Sequence, residues 1–214
     1  MTFGLASFIS IFLPAISGAI FLNRTDKLFK YFSYFIFLIC GLECIANYLF
    51  YAHQSNLMIY TFSLLLETIA FTLILNRSIK NSFLEKVIVL ALLVYIISFF
   101  YFIFYGHIIT EIDSEYRMIT CVLLIFLGGI TFIQQSKNME VHILTNPMFI
   151  LSFSVLLYYG STLFVHGALH IILAKSFSLV AKQIWNAHSV INIITNILFA
   201  YAIWLSYRQK KLSL

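Results

Sequence analysis

Two carboxylates, Glu43 and Glu67, stand inside stretches otherwise built mainly of Ile, Leu, Phe and Cys. An ionisable side chain within a bilayer costs about 2.5–3.5 kcal/mol on insertion scales, so such residues pair, face a cavity or do chemistry. Asn47 lies one helical turn from Glu43, and Tyr60, Ser63 and Glu67 share a face at spacings of three and four. Further on, Tyr159, Thr162, His166 and His170 follow one another at helical spacing. The stretch "WNAHSVINIITN" then puts His188, Asn192, Thr195 and Asn196 on one stripe. A lipid-facing helix does not hold such stripes cheaply. These faces must look at protein, water or a ligand.

Carboxylate and imidazole together support three chemistries. The first is recognition of a small ligand by charge and hydrogen bonds. The second is metal-assisted hydrolysis, which needs three His or carboxylate ligands, an open position and a general base. His166, His188 and Glu43 or Glu67 could supply that set, and His166/His170 has two-His spacing, but no HExxH-like motif fixes the geometry. The third is a proton-coupled carrier, which tends to break its helices near the midplane. Only Pro14 interrupts a span, and it lies in the first one, away from the other polar residues in sequence. A retinal protein is excluded, because the last span holds no Lys before Lys210. A plainer role competes at each position. Asn192, Thr195 and Asn196 can be interhelical hydrogen-bonding groups, worth about 0.6 kcal/mol each on average. His166 and His188 can be ordinary hydrogen-bonded histidines.

The elements that position these groups follow from composition. The chain has 214 residues, 62% hydrophobic and 10% charged, against about 25% charged in a soluble domain. Seven apolar runs are long enough to cross a hydrocarbon core, which takes about 20 residues. They lie at roughly 3–22, 31–52, 57–76, 87–105, 117–134, 147–173 and 184–207. The fifth is the shortest. Short loops leave no room for a soluble domain, so an all-α, seven-transmembrane-helix bundle forming one domain over 1–214 is expected. The first run has no basic residue before it and "NRTDKLFK" after it, which fits a retained helix better than a cleaved signal.

Basic residues set the orientation. Arg24, Lys27, Lys30, Arg77, Lys80, Lys86, Lys137, Arg208, Lys210 and Lys211 fall on one side, against Arg117, Lys175 and Lys182 on the other. The N-terminus is therefore expected outside and the C-terminus in the cytoplasm of a bacterial inner membrane. The acidic loop "GHIITEIDSEYR", with Glu111, Asp113 and Glu115, is then external. The net charge of +5 belongs to helix ends that meet lipid headgroups and implies no nucleic acid. Cys40, Cys44 and Cys121 all fall in apolar runs, and buried free thiols are expected.

With those residues in view, the chain resembles a group of seven-transmembrane-helix proteins of Bacteroidota, similar to membrane sensor modules found fused to histidine kinases. The resemblance is carried by "NLMIYTFSLLLETIAFTLIL", "NPMFILSFSVLLYYGSTLFV" and "IWNAHSVINIITNILFAYAIWL". It falls on Tyr60 and Glu67, on Asn146, Pro147, Tyr158 and Ser161, and on His188, Asn192 and Asn196. It implies signal reception. This chain ends in "SYRQKKLSL", so the resemblance implies a separate cytoplasmic or membrane signalling partner.

Counting residues inward from each helix end brings the polar faces of the second, third, sixth and seventh spans to compatible depths. The expectation is a receptor-like sensory module with a cavity among these four spans, open or near to the external side. It would bind a small polar or amphiphilic ligand through Glu43, Asn47, Tyr60, Glu67, Tyr159, Thr162, His166, His188, Asn192 and Asn196. No cofactor is expected, and membrane lipids are the surrounding partner. The alternatives are a metal-dependent lipid hydrolase using His166, His188, Glu43 and Glu67, and a proton-coupled carrier.

Overall fold

A computed structural model describes residues 2–105, 112–137, 143–174 and 178–212. Glu111 and Lys175 lie outside these ranges, and the side chains of Asp113, Glu115 and His170 are likewise not described. All regular structure among the described residues is helical: α1 (Thr2–Ser10), α2 (Phe12–Phe21), α3 (Lys27–Tyr51), α4 (Leu57–Asn76), α5 (Ser82–Tyr105), α6 (Ile112–Lys137), α7 (Pro147–Ala174) and α8 (Ser178–Leu212). Two short 3-10 turns, Leu22–Arg24 and Ile143–Thr145, sit between them. Seven stretches are long and apolar enough to cross a membrane, with α1 and α2 forming one of them together.

Among the described residues only the first span breaks, and Pro14 explains where. Proline has no N–H, and its ring crowds the carbonyl four residues earlier, here Ser10. The helix accordingly ends at Ser10 and resumes at Phe12.

Several helices begin earlier or run longer than the apolar runs suggested. α3 starts at Lys27 rather than 31, α5 at Ser82 rather than 87, and α8 at Ser178 rather than 184. α6 covers 26 residues, so the fifth span is not the shortest. Hydropathy marks only the part of a helix that meets hydrocarbon; helical hydrogen bonding continues through polar end turns wherever a cap closes them. Asn81 Oδ1 accepts from the backbone N–H groups of Phe83 and Leu84 at 3.0 and 3.2 Å, which fixes the start of α5. Asn146 Oδ1 accepts from Met148 and Phe149 at 2.9 and 3.2 Å, with Pro147 at the first helical position of α7. Asn146 Nδ2 also donates to Gln135 Oε1 at 2.9 Å, tying the end of α6 to the start of α7. The "NP" pair is thus a helix cap and an interhelical tie.

α3 closes through a left-handed turn. His53 has φ +56°, and the N–H groups of His53 and Gln54 donate to Phe50 O and Leu49 O at 3.1 and 2.9 Å. This is the paired bonding of a Schellman turn, with His in the place glycine usually takes.

Inside the bundle, α7 packs between α6 and α8, while α1 and α2 lie along α8 and α2 also meets α3. Gly18 on α2 permits that last contact: a Cβ there would stand 3.1 Å from Ser33 Cβ and 3.2 Å from Ser33 Oγ. An aromatic core joins α3, α4, α7 and α8. Phe32 is fully buried with its ring 5.3 Å from Phe199, Phe35 lies 5.2 Å from Phe71, and Phe71 lies 5.8 Å from Tyr159. In a membrane such rings hold helices together by dispersion and shape, since lipid tails are as apolar as the core. α5 sits at the periphery, with Tyr95 and Phe99 turned inward and Leu90, Val94, Ile97 and Tyr101 exposed. The cysteines are free, and Cys40 and Cys121 are buried.

The tail of α8 gathers the loops at its end of the bundle. Lys210 Nζ donates to Thr25 O at 2.9 Å, Gln209 Nε2 to Thr145 O at 3.0 Å, and the Asp26 N–H to Ser206 Oγ at 3.3 Å.

Candidate functional site: a carboxylate cluster between helices

Glu67 lies at the middle of α4, flanked by Leu66 and Thr68. Its carboxylate accepts a 2.8 Å hydrogen bond from the hydroxyl of Tyr159 on α7. Tyr159 is only 1% exposed, and its ring is held between Phe71 and Tyr158, so the hydroxyl has little freedom to leave. Glu43 of α3, half-buried, is within electrostatic reach of Glu67, and Arg117 of α6 is within reach of both. Tyr158 completes the group, within the fields of Glu67, Arg117 and Glu43. Two acids, one guanidinium and two phenols from four helices thus share one interior region.

Directly beside Glu67 a hydroxyl triangle links α4, α5 and α6. Tyr95 Oη lies 2.8 Å from Thr120 Oγ1, Thr68 Oγ1 lies 3.2 Å from Thr120 Oγ1, and Thr68 to Tyr95 is 3.3 Å. All three residues are buried. Tyr116, one turn from Thr120, donates to Ser98 O at 2.9 Å. This network fixes α6, and with it the backbone that carries Arg117.

On the other flank stands His188. Ser161 Oγ donates to Tyr158 O at 2.8 Å, so its oxygen is left to accept from His188 Nδ1 at 3.4 Å. The imidazole also lies 5.8 Å from the Tyr158 ring and 6.0 Å from Trp185, and Trp185 in turn lies 6.3 Å from His166. Arg117 acts on His188 electrostatically as well. His188 therefore joins the carboxylate region through Tyr158, and His166 belongs to the ring cluster one step further out.

The two asparagines of α8 turn away from this region. Asn192 Nδ2 donates to Ser7 Oγ at 2.7 Å and Asn196 Nδ2 to Ser10 Oγ at 2.8 Å. Both asparagines thus hold α8 against the break in the first span. The stripe that begins at His188 serves two neighbours, α7 at one end and α1 below, because successive members of an i, i+4 row rotate slowly around the helix. Pro14 is consequently not remote from the polar residues, as its place in the sequence suggested. Asn47 Nδ2 turns back to Glu43 O at 2.9 Å, and Thr162 Oγ1 to Tyr158 O at 2.8 Å, each spent on its own helix. Tyr60 is half-buried near the start of α4. Thr195 Oγ1 is buried with no hydrogen-bond partner among the described residues.

Among the described residues no three His, Cys, Asp or Glu side chains come together as a group that could hold a metal ion. His166, His188, Glu43 and Glu67 are therefore not assembled as a ligand set. Sequence reasoning missed Arg117, counted there only among the basic residues that set orientation, and missed the Thr68–Tyr95–Thr120 triangle. The signal for Arg117 was charge balance: two acids within spans call for a base nearby.

The fold and this cluster together define a multi-pass helical membrane protein with ionisable and phenolic groups from α3, α4, α6 and α7 in one interior region. Comparison with protein-family models, with curated proteins and with solved structures returns no match to the chain.

Proposed function

We propose that the chain is a receptor-like sensory module of a bacterial inner membrane. It reads a small polar or amphiphilic ligand at the Glu43–Glu67–Arg117–Tyr159 cluster, with His188 at its edge, and signals through a partner. One observation carries the reading: the 2.8 Å bond from the buried Tyr159 to the half-buried Glu67, at the middle of an apolar helix where ionisable groups are costly. An interior of ionisable groups held by four helices gives a polar ligand something to exchange with, and replacing one helix's contact shifts the others. The excess of basic residues at the end that holds the α8 tail supports a cytoplasmic C-terminus.

The test is a thermal-shift screen of polar and amphiphilic small molecules on the purified protein, repeated on Glu67→Gln, Glu43→Gln and Arg117→Gln. A ligand read by the cluster loses its stabilising effect in these variants and keeps it in Asn196→Ala, which lies outside the cluster. Stabilisation that survives all three cluster variants overturns the reading. A carrier is the second reading, favoured by the break in the first span and the asparagines attached to it. Steady solute or proton flux in proteoliposomes would decide for it.

A further inference from the structure

A groove of about 480 Å³ runs between α3 and α4 on the outside of the bundle, away from the carboxylate cluster. Its walls are apolar along almost their whole length. Its lining includes the half-buried Phe35 and Ala70 and the more exposed Tyr31, Tyr34 and Leu73. The groove exists because Ala70 is a stub between the larger Leu66 and Leu73, while Phe35 is held down by its ring contact with Phe71. From Leu66 to Arg77 the groove follows about 16 Å of helix.

One end differs chemically from the rest. Arg77, exposed at the C-terminus of α4, lines that end. Lys27, also exposed, stands one turn before Tyr31 on the same face of α3. Tyr31 and Tyr34 are 47% and 52% exposed, and tyrosines near the end of a span are suited to meet headgroups. The groove is thus an apolar slot with one cation, Arg77, among its lining residues, at the end of the bundle where α3 also places the exposed Lys27.

We propose that this groove is a binding site for an anionic glycerophospholipid, one acyl chain lying over Phe35 and Ala70 and the phosphate held between Arg77 and Lys27. Charge complementarity selects the occupant. A zwitterionic lipid gains the same acyl contact but less from the two cations, and a free anion gains nothing from the slot. A basic residue near an anionic lipid surface is worth about fivefold in affinity, so two give a preference of about twentyfold or more.

The experiment uses full-length protein in detergent, titrated with dioleoylphosphatidylglycerol, with dioleoylphosphatidylcholine and with glycerol 3-phosphate, and read by native mass spectrometry and thermal shift. Tighter retention of the phosphatidylglycerol is expected, with no shift from glycerol 3-phosphate. R77Q and K27Q should each reduce the preference about fivefold, and the double variant should abolish it. A70L, which fills the slot, should weaken both lipids. If A70L fails to fold, a phosphatidylglycerol with a photoreactive acyl chain replaces it and should label peptides containing Phe35 and Ala70. Equal retention of both lipids, an unchanged preference in the double variant, a shift from glycerol 3-phosphate alone, or labelling spread evenly around the bundle would each overturn the proposal.

Discussion

Tyr159→Phe isolates the central hydrogen bond. The substitution removes one oxygen and leaves the ring, which stays packed against Phe71 and Tyr158. Two scales bear on the cost. A hydrogen bond to a charged group is worth about 1.5–3 kcal/mol, and a buried acceptor left unsatisfied costs about 1–3 kcal/mol. Interhelical hydrogen bonds in membranes average only about 0.6 kcal/mol and reach about 1.7, because the unfolded chain in the membrane also finds partners. The acceptor here is a carboxylate at the middle of its helix, so the upper part of the membrane range applies, about 1–2 kcal/mol. Reversible unfolding in mixed micelles of a mild detergent and dodecyl sulfate would measure it. A double-mutant cycle with Glu67→Gln then separates the pair from its surroundings, and a coupling above about 0.5 kcal/mol is expected for groups in direct contact. Additive effects in that cycle, or a Tyr159→Phe cost below about 0.3 kcal/mol, would refute the claim that this bond organises the cluster.

Asn196→Ala and Asn192→Ala should each lose about 0.6–1.7 kcal/mol of stability, and Asn196→Ala combined with Ser10→Ala should cost less than the sum. Gly18→Leu should destabilise the protein by about 1–3 kcal/mol in the same unfolding assay, because the added side chain meets Ser33 and Phe37 across the α2–α3 contact. His53→Gly should raise the unfolding midpoint, since φ +56° costs a residue with a Cβ about 1 kcal/mol or more and glycine nothing steric. His188→Ala should leave the protein folded and inserted while altering the fluorescence of Trp185, whose ring lies 6.0 Å away.

How much of this was legible beforehand depended on whether a residue's role was set by its own helix or by its neighbour's. The fourth helix begins and ends where its apolar run does, and the seventh begins at Pro147, because Asn146 and Pro147 announce a cap locally. The cost of burying Glu67 was also legible, and it reaches α7 as a costly acid must. The partner of Asn196 was not. Periodicity says that Asn192 and Asn196 share an edge of α8, but nothing in that stretch tells whether α1 or α7 lies beyond the edge. Arg117 was hidden for a related reason. It sits at the boundary of an apolar run, and a long side chain at a boundary can turn to headgroups or inward with little change in sequence pattern. Asn47 and Thr162 show the reverse error: their positions suggested an outward-facing donor, while a carbonyl four residues back was the nearer acceptor.

α8 carries His188 near one end and Ser206, Gln209 and Lys210 at the other, in one helix of 35 residues. That is a rod of about 52 Å with no loop in it. Its far end grips Thr25 and Asp26, in the loop between α2 and α3, and Thr145, in the turn before α7. A tilt or rotation of α8 near His188 is therefore delivered to those loops as leverage, without needing any intervening segment to refold. The asparagines that pin its middle to the broken first span supply the fulcrum.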